Sequence, residues 1–386
     1  MSISKSLLDD ARGWRRDLHA APELGYQELQ TSHKVASLLQ SFGVHVHCGL
    51  GGTGVVGTIR NGQGPTIGLR ADMDALPIQE LGEVAHKSAH PGCMHACGHD
   101  GHTAILLATA RYLAESRCFS GTVHFVFQPA EEGLAGARKM IEDGLFDLFP
   151  MDAIYGLHNW PGLPAGTVAI NPGAMMASMD TFEIQLTGKG CHAAMPEKGA
   201  DPIVVGAELV LALQTIPARR LSPLDSAVIS VTQFHAGEAI NVIPETATLK
   251  GTVRCLQSHV RDKVETLIHE FVEQLPGAFG VRGQVVYNVG YPVTQNDPDA
   301  AAVIRRAAVS AVGERQVIWG CRPSMASEDF SYLLNACPGA YVWLGVDGEQ
   351  PSASLHNPYY DFNDQVIEPG VALWIALVEQ CLPVSS

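Results

Sequence analysis

The hydrophobic rhythm of this chain changes twice, and that restricts its fold more than any other feature. Helix-period and strand-like segments alternate at first: helical over 4–19 and 31–42, extended over 55–59 and 66–70, helical over 103–115, extended over 123–127, helical over 135–143 and extended over 153–157. This order of elements is an α/β pattern with a mostly parallel sheet. From about Met179 the strand-like runs alternate apolar with polar residues, over 182–187, 228–235 and 246–254, with helical runs over 201–218 and 259–274. After Val293 the first rhythm returns, with a helix over 297–312, a strand over 340–345 and a closing helix near 365–380. The expectation is one mostly parallel α/β domain, residues 1–178 and 294–386, interrupted by a smaller α+β insert, residues 179–293.

The size of the chain agrees with two domains, since 386 residues exceed what one hydrophobic core usually serves. A formal net charge of -15 without Lys/Arg runs argues against nucleic acid or an anionic membrane as partner. The first ten residues are polar and lack the apolar stretch of a secretion signal, and no segment has eighteen unbroken apolar residues, so a cytoplasmic protein is expected. Nine scattered cysteines do not form a disulfide framework in a chain this long. Cys93 and Cys97 are the local exception, because both sit inside a histidine cluster.

That cluster is the densest chemical signal. Between Lys87 and His102 lie His90, His95, His99, His102, Cys93, Cys97 and Asp100, and five of the sixteen histidines fall between His86 and His102. Thiol and imidazole at this density point to metal. Cys97 and His99 are two apart, so in an extended loop their side chains share one side and could share one metal or two adjacent ones, with His102 opening the helix that follows. The strand over 123–127 runs into Gln128-Pro-Ala-Glu-Glu-Gly133, placing two carboxylates at the carboxyl end of the sheet, where open α/β sheets bind ligands. If Glu131 and Glu132 diverge, one can ligate a metal while the other serves as general base; the alternative is an acidic first helical turn. His158 ends another apolar strand, and His356 follows the late one. Asp72 and Asp74, after the strand over 66–70, are candidates to orient a histidine ligand or simply to form a solvated turn before Pro77.

Five phrases carry a resemblance to a known family: Met94-His-Ala-Cys-Gly-His-Asp-Gly-His102, Gln128-Pro-Ala-Glu-Glu-Gly133, Gly188-Lys-Gly-Cys-His-Ala-Ala-Met-Pro196, Ile240-Asn-Val-Ile-Pro244 and Met325-Ala-Ser-Glu-Asp-Phe330. In order and over nearly the whole chain, they resemble the hippurate hydrolase branch of the aminoacylase/carboxypeptidase metallo-amidohydrolases. The resemblance implies a zinc-exopeptidase-like catalytic domain, with the insert as a lid and dimerisation domain that makes a homodimer or higher homo-oligomer. It implies two divalent ions per subunit, zinc, manganese, cobalt or nickel, held by Cys97, His99, Glu132, His158 and His356, with Glu131 activating water; of the two aspartates, Asp74 is the one expected behind these ligands. His192 is implied to reach the scissile carbonyl, from its own subunit or across a dimer, while Asn241 and Arg254 hold the substrate carboxylate. Cys191 and Cys93 are departures from the branch's usual residues. The implied reaction is hydrolysis of small N-acyl-L-amino acids; a dipeptidase or carboxypeptidase on the same site is the alternative. A metal-binding protein without catalysis would lack the base or a ligand, and none is missing.

Overall fold

The computed structural model describes residues 3–384 and divides into two compact units, Met1–Met175 with Gln295–Arg322 and Asp329–Ser386, and Met176–Thr294 with Pro323–Glu328. Residues 323–328 join the second unit although no periodicity in the sequence marks them.

The first unit is built on an eight-stranded sheet. Its strands are β1 (His45–Leu50), β2 (Gly54–Asn61), β3 (Thr66–Asp72), β4 (Gly121–Gln128), β5 (Ala153–Pro164), β6 (Val168–Ile170), and two late ones, Val317–Trp319 and Gly339–Asp347. Across the sheet the order is β1, β2, β4, β3, β5, Gly339–Asp347, β6, Val317–Trp319. β4, β3, β5 and Gly339–Asp347 run parallel, with Leu69 opposite both Phe125 and Tyr155, and Val342 opposite Leu157. β1 and β2 extend one edge in antiparallel fashion, and β6 pairs antiparallel with Gly339–Asp347. This is the expected mixed α/β fold with a mostly parallel sheet.

The central strands are buried along most of their length because helices cover them, which is why they read as unbroken apolar runs. Helices α1 (Lys5–Ala20), α2 (Leu29–Ser41) and α3 (His99–Ser116) share one core with the closing helix Ile367–Cys381. α1 starts at Ser4, whose hydroxyl accepts the Leu7 N–H at 3.2 Å, a cap the Ser-rich start favours. α3 starts at His99, one turn before the sequence placed its opening residue His102. The strands over 45–50, 168–170, 317–319 and 282–288 were not marked in the sequence. Each is short or half-exposed, so no apolar run announces it.

His124 on β4 gives the unit an acid-sensitive point. Its ring is buried, Nδ1 meets the Thr58 hydroxyl at 2.9 Å, and burial together with Arg60 pushes its pKa down to about 4. The native state therefore resists a proton that the unfolded chain takes up near pH 6.5, so this contribution is present above pH 6.5 and is lost as pH falls towards 4, amounting to roughly 3 kcal/mol. In urea titrations between pH 4 and 7, His124→Gln is expected to show a flatter acid limb than the wild type; an equally steep limb in the variant would remove His124 from the account.

The second unit is a β-α-β-β-α-β arrangement. Its antiparallel sheet runs Ala227–Ala236, Thr246–Cys255, Asp180–Thr187, Arg282–Asn288, and its helices are Pro202–Thr215 and Ser258–Gln274. Its own core joins Phe182, Ile184 and Leu249 of the sheet to Val205, Leu209, Val264 and Ile268 of the helices. Among the described residues, one helical stretch, Pro202–Arg220, is long and apolar enough by composition to cross a membrane, but one side of it is part of this core.

Candidate metal centre

Parallel pairing brings the carboxyl ends of β3, β4 and β5 to one edge of the first unit, and the predicted ligands gather there. Gly98 has φ +88 and turns the chain into α3; a Cβ at that position would stand 2.3 Å from the Asn159 Oδ1. Cys97 and His99 therefore flank a left-handed glycine and do not share an extended loop as their spacing suggested. His356, itself at φ +63, is brought beside this loop by its N–H, which donates to the Ala96 carbonyl at 2.9 Å.

Overlapping sets of donor atoms among the described residues include Cys97, Glu132 and His356; His99, Glu131 and Glu132; and Asp72, His99, His102 and His158, each with its members within 4.8 Å of one another. Cys97 Sγ lies 3.5 Å from His158 Nε2, Glu132 Oε1 lies 3.2 Å from His356 Nε2 and 3.9 Å from His99 Nε2. Glu131 and Glu132 each bring an oxygen within 4.8 Å of the other's and of a His99 nitrogen. They also precede the helix Gly136–Glu142 and are not its first turn.

The donor set fits a cation. His99 Nε2 and Glu132 Oε1 are buried without a hydrogen-bond partner, a costly condition for an imidazole nitrogen and a carboxylate oxygen unless a positive ion completes them. The histidines are oriented for it. His99 Nδ1 donates to the Asp74 carbonyl at 2.9 Å, and His158 Nδ1 to the Asn159 carbonyl at 2.8 Å, which leaves each Nε2 as a lone pair facing the cluster. Burial alone would lower the His99 pKa, but Asp72, Asp74 and Glu132 outweigh it and push the group up to about 10, a sign of a strongly negative potential at this point. The Cys97 thiol is pushed well up by burial and by Glu132 and Glu131, so a metal that binds it as thiolate must displace its proton.

The two aspartates after β3 separate into different tasks. Asp74 has one oxygen 3.2 Å from His99 Nδ1, and its other accepts the Glu132 N–H at 2.9 Å. Asp72 accepts from His102 Nδ1 at 2.6 Å and pairs with Arg70 at 2.8 Å. His102 is further held by Asn159, whose N–H meets its Nε2 at 2.9 Å. His95, in contrast, is buried with both ring nitrogens unpartnered, and burial pushes its pKa down to about 4.

The supports that sequence reasoning missed are Arg70, Gln128, Asn159 and Asp329. Asp329 is central: its carboxylate accepts from Gln128 Nε2 at 2.7 Å and the Ala137 N–H at 2.9 Å, and its own N–H donates to Glu131 Oε1 at 3.2 Å. Arg70 was the available signal, a lone charge inside the apolar run of β3, fully buried and paired.

His192, Asn241 and Arg254 belong to the second unit. His192 pairs with Val242 in a short two-stranded ladder, and the Ala193 N–H donates to the Asn241 carbonyl at 3.0 Å, so these two exposed residues are neighbours. The Ala194 N–H donates to His192 Nδ1 at 3.0 Å, which places the ring proton on Nε2. Arg254 is partly buried, and its Nη1 donates to the Met325 carbonyl at 3.2 Å and the Ser327 hydroxyl at 3.3 Å. All nine cysteines are free; Cys93 contacts the Pro22 carbonyl at 3.5 Å, and Cys191 faces Ile243 in the short ladder.

Comparison with known proteins gives the chain a family. The chain is 42% identical over 364 residues to the hippurate hydrolase of Campylobacter jejuni, covering 94% of each chain. It is 41% identical to the N-acetyl-L-cysteine deacetylase of Bacillus subtilis, covering 92% of this chain and 84% of that one. Its structure superposes with a TM-score of 0.84 on the Bacillus subtilis YXEP protein, described as a dinuclear metal-binding peptidase of the M20 family, at 34% identity and 98% coverage of both chains. Residues 68–380 match the model of peptidase family M20/M25/M40, and the chain belongs to that family as a metal-dependent amidohydrolase.

Proposed function

We propose that the protein hydrolyses the amide bond of N-acyl-L-amino acids, hippurate or N-acetyl amino acids among them, to a carboxylic acid and a free amino acid. The observation that carries this reading is the position of Glu131, oriented by the Asp329 N–H and set beside the orphaned nitrogen of His99 and oxygen of Glu132. Cys97, His99, Glu132, His158 and His356 would hold two divalent ions; thiolate and imidazole favour zinc, while manganese, cobalt and nickel suit the same donors. Bound there, such ions acidify water and polarise the amide carbonyl.

The chain's own residues then divide the work. Glu131 takes the proton of the attacking water and returns it to the leaving amine, which requires one carboxylate of the pair to stay free of metal. Asp74 fixes His99 and the Glu132 backbone. His192 Nε2–H, its tautomer set by Ala194, donates to the oxyanion that forms at the cleaved carbonyl. Arg254, with Asn241, reads the substrate carboxylate through the planar fork of its guanidinium. The likeness to a protein described as a peptidase keeps one second reading, cleavage of dipeptides on the same site.

A substrate panel separates these readings. Metal-loaded protein is expected to release amino acid from hippurate and from N-acetyl amino acids, and to be far slower on the matching amides that lack the carboxylate. Cleavage of dipeptides alone would move the function to the peptidase, and indifference to the carboxylate would remove the role given to Arg254.

The second unit, 179–293 by its rhythm, is proposed as the lid and dimerisation domain. Supporting this, its helix Pro202–Thr215 exposes Ile203, Val204 and Leu211, and its edge strand Ala227–Ala236 exposes Val228 and Phe234. Leu211→Glu is expected to sediment as a monomer where the wild type sediments as a dimer or larger; a monomeric wild type would end this reading. A reducing, cytoplasmic setting is proposed from the free thiols, above all Cys97, and cell fractionation tests it.

A further inference from the structure

The turn that carries Glu131 is held in an unfavourable conformation. Ala130 has φ +53 and Ala135 has φ +58, left-handed values that are unfavourable for a residue with a Cβ and persist only where the surroundings enforce them. The enforcing contacts are specific. The Gly136 N–H donates to the Ala130 carbonyl at 2.9 Å, the Glu132 N–H to Asp74, and the Ala130 N–H to Glu28 Oε1 at 2.8 Å.

Glu28 is the unexpected member of this set. It stands 102 positions before Ala130, just ahead of α2, and is fully buried. Its second oxygen meets the Thr53 hydroxyl at 2.7 Å in the turn between β1 and β2. The carboxyl thus connects the loop before α2, the β1–β2 turn and the Glu131 turn. Tyr26, in the same loop, braces the far side through its hydroxyl, which donates to the Leu134 carbonyl at 3.0 Å. A fully buried carboxyl that holds one backbone N–H and one hydroxyl is a costly choice for a merely structural contact.

We propose that Glu28 is a positioning residue for the reaction: through the Ala130 N–H and the Thr53 hydroxyl it fixes the left-handed turn that sets Glu131 beside the metal ligands. Burial pushes the Glu28 carboxyl up to about 7, so near neutrality it is present in its acid form as well. The acid form preserves both bonds, because its O–H can donate to the Thr53 oxygen while its carbonyl still accepts from Ala130. A glutamine offers the same pattern through its N–H₂ and carbonyl. The geometry, and not the negative charge, is therefore what Glu28 supplies.

This rests on Glu131 being the base, so Glu131→Gln is measured in parallel. Metal-loaded wild type, Glu28→Ala, Glu28→Gln and Thr53→Val are compared for kcat and KM on hippurate, for bound metal, and for hydrogen exchange over residues 129–136. Glu28→Ala is expected to keep its metal and KM, to lose kcat by about 10- to 100-fold through misplacement of the base, and to exchange the Ala130 amide faster. Glu28→Gln is expected to recover most of both. If Glu28→Ala does not fold, Thr53→Val, which frees one end of the carboxyl, is expected to show the same changes in smaller degree. Wild-type kcat and exchange in the folded variants would overturn the proposal, as would a Glu28→Gln variant as impaired as Glu28→Ala. Lost turnover in Glu131→Gln with an unaffected Glu28→Ala sinks the positioning role alone, while retained turnover in Glu131→Gln sinks the base assignment and this proposal with it. Should hippurate not be cleaved by the wild type, the exchange readout still decides whether Glu28 fixes the turn.

Discussion

Replacing Glu131 with glutamine is expected to leave metal binding intact and to lower kcat roughly 10³-fold, the effect of removing a general base, or about 4 kcal/mol of transition-state stabilisation. Glutamine fills the same volume and its carbonyl can still accept the Asp329 N–H that orients Glu131. What it cannot do is take a proton from water. Because the proposed metal ligands are other residues, metal analysis should show wild-type content and KM should change little. That combination separates a base from a ligand. A variant with lowered metal content would make Glu131 a ligand, and a variant with near-normal turnover would leave the reaction without its base.

Removal of Cys97 is expected to give the opposite signature. Its sulfur belongs to the set with Glu132 and His356 and lies 3.5 Å from His158, so it connects donors from three separate stretches of chain. Even outer supports of a metal site typically cost 10- to 100-fold in affinity, and loss of a direct ligand should exceed about 100-fold. Cys97→Ala should therefore emerge from gel filtration short of metal and correspondingly inactive. Thermal melts offer an independent check, since a metal bound only by the native state stabilises it by about 4 kcal/mol at a thousand times its dissociation constant. That gain should be large in the wild type and small in the variant. Equal metal-induced gains in both proteins would take Cys97 out of the centre.

The fold and the donor set were legible to different depths. β3, β4 and β5 could be read because burial on both faces forces unbroken apolar runs, and parallel strands with intervening helices then imply a shared carboxyl edge. Glu131 and Glu132, just beyond β4, were legible for the same reason; His158 was read as the end of its strand, but β5 runs on through it to Pro164. Edge strands such as His45–Leu50 and Arg282–Asn288 were not, since a half-exposed strand at a sheet margin needs no apolar pattern. The turns were the least legible part. The left-handed Gly98, Ala130 and His356 decide where Cys97, Glu131 and the late imidazole point, and nothing in a one-dimensional spacing of Cys97 and His99 contains that rotation. Supports that act across long separations were hidden as well. Glu28 looks like one more acidic residue ahead of an amphipathic helix, and only the fold shows its carboxyl buried against Ala130.

The most direct test of the central claim is a metal titration of chelator-stripped protein, with bound metal and release of amino acid from hippurate and N-acetyl-L-cysteine followed together. The stripped protein is expected to be inactive, to bind two zinc, manganese, cobalt or nickel ions tightly per chain at saturation, and to regain activity as they bind. Full hydrolysis by the metal-free protein, or saturation with metal and no hydrolysis of any N-acyl amino acid, would contradict that claim.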